Sequence, residues 1–105
     1  MNNLQQLMPM VQQLQARYAK MQETLVSQKI TASSGGGMVS ATVDGKGDVK
    51  EIRIDPTCVD KNDVEMLEDL VVAAVSQAQA KARQTYEEEM KKLTGGLPLP
   101  FPGLI

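Results

Sequence analysis

The chain has 105 residues, 42% hydrophobic and 23% charged, with a formal net charge of −2, which is one domain's worth of globular composition. It carries no His, one Cys, and only Tyr18, Tyr86 and Phe101 as aromatics. These counts remove the commonest general base and metal ligand, an internal disulfide, a multi-Cys zinc site and base stacking on aromatic platforms, so neither an enzyme nor a cofactor is expected.

Residues 4–28 read as a helix. Leu4, Val11, Tyr18 and Leu25 are seven apart, with Leu7, Leu14 and Met21 between them at the same spacing, giving an a/d seam along one narrow stripe. Pro9 suits a first helical turn better than an interior, so the continuous helix is expected from about residue 8 to 28, with residues 1–7 frayed or kinked.

From residue 30 the period drops to two. Strands are expected at about 30–34, 38–44 and 48–54, joined by turns at Gly35-Gly36-Gly37 and Gly45-Lys46-Gly47. Val39, Ala41 and Val43 share one face of the second strand, opposite Ser40, Thr42 and Asp44. In the third strand Ile52 and Ile54 point inward and Glu51 and Arg53 outward, before Asp55-Pro56 ends the ladder. The result is a three-stranded antiparallel meander with one apolar face.

A second helix is expected over about residues 63–93, capped by Asn62 with Glu65 three residues on. Its apolar stripe includes Leu67, Leu70, Ala74, Ala78, Ala82 and Tyr86, and Gly95-Gly96 stops it. Residues 1–94 then form a single α+β domain, and 95–105 a flexible Gly/Pro-rich tail. At 1.5 Å per residue the second helix is about 45 Å long and the first roughly 30–37 Å. A compact monomer of this size has a radius of gyration near 13 Å, so the helices overhang their sheet. They pair as a projecting arm, a second subunit covers them, or both.

No basic leader followed by an apolar stretch opens the sequence, and the longest uninterrupted apolar run, Leu70 to Val75, is far shorter than a membrane span. A cytoplasmic protein with no membrane partner is therefore expected, and the unpaired Cys58 agrees with a reducing compartment.

Little in the chain invites chemistry. The two glycine-rich segments lack the following helix and Lys-Ser or Lys-Thr of a phosphate loop and are better read as strand turns. Cys58 has no His to activate it and reads as a small hydrophobe. Glu87, Glu88 and Glu89 fan out around a helix rather than converging on a metal. The charge distribution says more than its total. Residues 1–29 carry +2, residues 63–75 carry −4 and residues 76–105 carry +1, so the segments expected to project are mildly basic.

The run Glu65-Met66-Leu67-Glu68-Asp69-Leu70-Val71-Val72-Ala73-Ala74-Val75 is similar to the signature of the YbaB/EbfC family of bacterial nucleoid-associated proteins. Ile52-Arg53-Ile54-Asp55-Pro56, the Ser-Gly-Gly-Gly-Met-Val turn at 34–39 and the Gly-Gly-Leu-Pro segment resemble that family too, and the likeness runs in order along essentially the whole chain. The resemblance implies a tweezer-like homodimer that binds double-stranded DNA with modest sequence preference, in nucleoid organisation or gene regulation. It implies no catalytic residue, metal or small-molecule substrate. It assigns DNA contacts to the helical arms, which in this chain means Arg17, Lys20, Lys81, Arg83, Lys91 and Lys92. The alternative is a protein-interaction adaptor that uses the heptad seam and the Pro/Leu tail without DNA.

Overall fold

The computed structural model describes residues 2–93; the tail expected at 95–105 lies outside the described residues. The elements run α1 (Asn2–Ser27), β1 (Ile30–Ser34), β2 (Val39–Val43), β3 (Val49–Ile54) and α2 (Val64–Leu93), with single 3-10 turns at Gly35–Gly37 and Pro56–Cys58. The three strands form one antiparallel sheet in the order β1-β2-β3, which is the expected α+β meander between two helices.

The core lies between α2 and the first two strands. Ala74, Ala78 and Ala82 of α2 are fully buried against Ala32, Val39, Ala41 and Val43, with Leu67, Leu70, Val71 and Val75 packed around them. Small residues at fourfold spacing on one helix face allow a close approach to the sheet. Ser34 fastens the first turn to α2 by donating its hydroxyl to the Leu70 carbonyl at 2.6 Å. Gly36 in that turn sits at φ 66°, ψ 27°, a left-handed conformation that a Cβ disfavours.

The second turn is built around a buried carboxylate. Asp44, read from the alternation as an outward strand residue, is 2% exposed because it leaves β2 and folds under the turn. Its Oδ1 accepts the backbone N–H of Lys46 at 2.9 Å and of Asp48 at 3.0 Å, while Oδ2 lies 3.7 Å from Lys50 Nζ. Burial pushes the Asp44 carboxyl up, but the Asp48 and Lys46 N–H groups and the Lys50 ammonium outweigh it and hold the pKa below the usual carboxylate value.

Four further expectations are corrected. First, α1 runs unbroken from Asn2 through Pro9, because the carbonyl left without an N–H partner faces solvent in an exposed stretch. Second, Asp63 rather than Asn62 caps α2, its Oδ1 accepting Met66 N–H at 3.2 Å, while Asn62 N–H is engaged by Asp60. Third, Ile52 and Ile54 share the face of their partners Ala41 and Val39, yet remain 40% and 39% exposed, because α2 lies across β1 and β2 and leaves β3 uncovered. Fourth, among the seam residues whose side chains are described, Met21 and Leu25 alone are buried. Every side chain from Gln5 to Lys20 is exposed, including the seam residues Leu7, Val11, Leu14 and Tyr18.

The last turns of α1 are held by the β2–β3 turn, where Gly45 N–H donates to the Leu25 carbonyl at 2.7 Å. With two long helices the molecule measures 72 × 23 × 16 Å and has a radius of gyration of 19.6 Å. That is well above the ~13 Å of a compact chain of this length. Among the described residues no helix is long and apolar enough to cross a membrane.

Candidate nucleic-acid interface

The six cations assigned to the arms do not form one surface. Where α1 and the end of α2 meet, Arg17, Lys20 and Lys92 line a cleft of about 290 Å³ whose floor includes Met21 and Leu25. Glu89 lies in the same cleft, 3.5 Å from Lys92 Nζ, and offsets part of that charge. Arg17 and Lys20 are exposed and form no ion pair among the described residues. Lys91 is also exposed, one position and therefore about 100° around the helix from Lys92.

Lys81 and Arg83 part company. Two positions on a helix are about 200° apart, so the two flank the buried Ala78–Ala82 stripe on opposite sides. Lys81 turns to the sheet edge and donates from Nζ to the Thr31 carbonyl of β1 at 3.2 Å. Arg83 turns the other way and lines a second cleft, of about 530 Å³, bounded by α1, the β2–β3 turn and α2. Tyr18, Gln22, Gln79 and Tyr86 line it as well, and so does Lys46 from the tip of the turn.

From the sequence Lys46 is only part of the Gly45-Lys46-Gly47 turn and not a candidate contact. Its available signal was a lone cation held between two glycines at a hairpin tip. In the same cleft the Tyr86 phenol stands beside the Tyr18 side chain. That contact and burial raise the phenol above its ordinary pKa, with Gln22 opposing, so Tyr86 stays protonated at neutral pH.

The acidic start of α2 does not cancel these charges. Glu68 and Arg83 are fifteen positions apart on one helix, or about 22 Å, and the screening length in physiological salt is about 8 Å. The molecule thus carries carboxylates at the base of α2 and, around the junction with α1, a group of cations of which Arg17, Lys20 and Arg83 form no ion pair among the described residues.

A helix, a three-stranded meander and a long second helix, with cations lining two clefts where the helices meet, make up a small α+β domain. The residues at 1–97 match the YbaB/EbfC DNA-binding family, and the chain belongs to it. It is 46% identical to a nucleoid-associated protein of Rhodospirillum rubrum, over 99% of this chain and 96% of that one. A nucleoid-associated protein of Paramagnetospirillum magneticum is 50% identical over 98% and 95% of the two chains. One from Clostridium acetobutylicum is 46% identical over 93% and 88%. Among solved structures, an uncharacterized protein from Helicobacter pylori superposes with a TM-score of 0.77 at 20% identity, covering 86% of this chain and 95% of that one, which shows the shared fold.

Proposed function

We propose that the protein is a homodimeric nucleoid-associated protein that binds double-stranded DNA mainly through phosphate contacts from its helical arms, and that it organises the nucleoid or regulates genes there. The observation that carries the reading is the pairing of a projecting α1 with Arg17 and Lys20, two exposed cations that form no ion pair among the described residues. Cations presented in this way gain affinity from phosphates and released counterions without reading bases. Kinship with the R. rubrum and P. magneticum proteins, both named as nucleoid-associated, supports DNA as the partner.

Dimerisation rests on apolar surface that one chain leaves open. Leu7, Val11 and Leu14 on α1 and Ile52 and Ile54 on β3 are each 39% exposed or more, far from the mixed polar surface of a stable monomer. A second copy supplies a matching seam. A foreign helix could fill the same seam, and in that adaptor reading DNA plays no part. Sedimentation equilibrium at micromolar protein, followed by a gel shift with mixed-sequence duplex, separates the two. The proposal expects twice 11.4 kDa and a shifted duplex. A clean monomer, or a dimer that leaves the duplex unshifted at low salt, rejects it.

A further inference from the structure

The cleft of about 530 Å³ beside Arg83 has a feature that the Arg17–Lys20–Lys92 cleft lacks: two cations and no carboxylate line it. Lys46 and Arg83 are both exposed, and neither forms an ion pair among the described residues. The nearby acids do not supply a partner. Asp44 is engaged by two backbone N–H groups and Lys50. Asp48 on the turn and Glu87, one helical turn beyond Arg83, form no ion pair.

The turn that carries Lys46 is also fixed in place. Asp44 holds the Lys46 N–H at 2.9 Å, Gly45 N–H reaches the Leu25 carbonyl of α1 at 2.7 Å, and Gln79 Nε2 of α2 donates to the Gly47 carbonyl at 3.1 Å. With the backbone tied to both helices, only the Lys46 side chain remains to be ordered when an anion binds. The remaining polar wall, with the Tyr18 and Tyr86 hydroxyls and the Gln22 amide, offers neutral hydrogen-bond donors.

We propose that this cleft is a DNA-backbone phosphate site in which Lys46 of the β2–β3 turn and Arg83 of α2 clamp one phosphodiester at the root of the arm. The inference rests on the DNA-binding reading and adds the sheet to an interface otherwise made of helices. A phosphodiester fits better than a small soluble anion because the cleft is open and borders the same stretch of α1 as the Arg17–Lys20 cleft, so a strand that meets the arm passes its root.

The test compares wild type with Lys46→Gln, Lys46→Arg, Arg83→Gln and the Lys46→Gln/Arg83→Gln pair, by fluorescence anisotropy on mixed-sequence duplex at low and moderate salt. Each phosphate contact contributes about 0.9 to the slope of log K against log salt, so a fourfold rise in salt costs about 3.5-fold per contact. Lys46→Gln should reduce affinity for all sequences and flatten the slope by about 0.9 per protomer, and Lys46→Arg should restore both. The pair should lose less than the sum of its members, because both side chains serve one phosphate. Thermal melts should not change for Lys46→Gln, whose side chain has no partner to lose. If wild type binds no DNA at any salt, the proposed function itself fails. If wild type binds and Lys46→Gln keeps its affinity and slope, this inference alone is overturned. It is likewise overturned if inorganic phosphate saturates the cleft in a Lys46-dependent way while DNA affinity is unaltered, because the cleft then serves a free anion.

Discussion

The docking of α1 depends on a close approach at Gly45, and Gly45→Ala tests it. A Cβ there would stand 2.7 Å from Leu25 Cδ2, 2.8 Å from the Leu25 carbonyl oxygen and 2.9 Å from Gln28 Oε1. Leu25 is fully buried, so its side chain has no room to swing aside. Its carbonyl is backbone and already accepts Gly45 N–H at 2.7 Å. The clash is therefore relieved only by lifting the end of α1 from the turn, which breaks that hydrogen bond. Overpacking costs about 1–3 kcal/mol and a lost hydrogen bond about 1 kcal/mol. The stiffer unfolded chain returns roughly 0.4–1 kcal/mol. The net is about 2 kcal/mol, equivalent to a fall in melting temperature of roughly 8–16 °C for a domain of this size. Melting is followed by circular dichroism at one fixed protein concentration, since a dimer's midpoint moves with concentration. Gly36→Ala is the control: nothing lies within 4 Å of its Cβ, so it incurs only the left-handed backbone penalty of about 1–2 kcal/mol. DNA affinity should fall with Gly45→Ala as well, because the displaced helix carries Arg17 and Lys20. A Gly45→Ala protein that melts within about 2 °C of wild type would refute the close docking.

Other substitutions separate the remaining parts of the account. Ala74→Asp should unfold the protein, since Ala74 is 0% exposed and a buried unpaired carboxylate costs several kcal/mol against a total of about 5–15; Leu70→Asp, at a partly buried site, should be milder, and a wild-type melt for Ala74→Asp would displace the assigned core. Asp44 has a folded pKa below its unfolded value, so its contribution is complete above the unfolded value of about 3.9 and is lost as pH falls through the folded one. Asp44→Asn, with no proton to take up, should flatten the acid side of a melting-temperature profile against pH, and an unchanged profile would remove Asp44 from that role. Arg17→Ala with Lys20→Ala should weaken DNA binding at every sequence, whereas Lys81→Ala, whose ammonium is tethered to the Thr31 carbonyl at the sheet edge and away from both clefts, should change it less; the reverse ranking in anisotropy titrations would move the interface to the outer edge of β1. Cys58→Ser should keep both dimerisation and DNA binding, because no second Cys or His stands by to make the thiol reactive; loss of either, read by sedimentation and gel shift, would contradict this.

The element order was legible because each signal was local. A period of 3.5 gave way to a period of 2 at Ile30, and the glycines of 35–37 and 45–47 marked both turns. The errors came where a local rule depended on surroundings. Pro9 is tolerated in a stretch of helix exposed to solvent, and the cap fell on Asp63 because α2 starts at Val64, one residue later than expected. Alternation identified the apolar face of β3 but could not reveal that α2 stops short of it, which is why Ile52 and Ile54 stay open. The same limit applies to the cations. The sequence located Arg17, Lys20, Lys81, Arg83, Lys91 and Lys92 on helices, while their grouping depends on how each helix is rotated over the sheet. The 200° between Lys81 and Arg83 followed from spacing alone once the Ala78–Ala82 stripe was known to be buried. For Lys46 the sequence offered only a cation between two glycines at a hairpin tip, and only the folded turn brings it into one cleft with Arg83.

The central claim, that paired arms hold DNA by its phosphates, is tested most directly by the salt dependence of affinity on two duplexes of unrelated sequence. A dimer that engages about 4–8 phosphates predicts parallel lines of log K against log salt with slopes of roughly −3.6 to −7. A slope near zero, or strong binding to one duplex with none to the other, would contradict it.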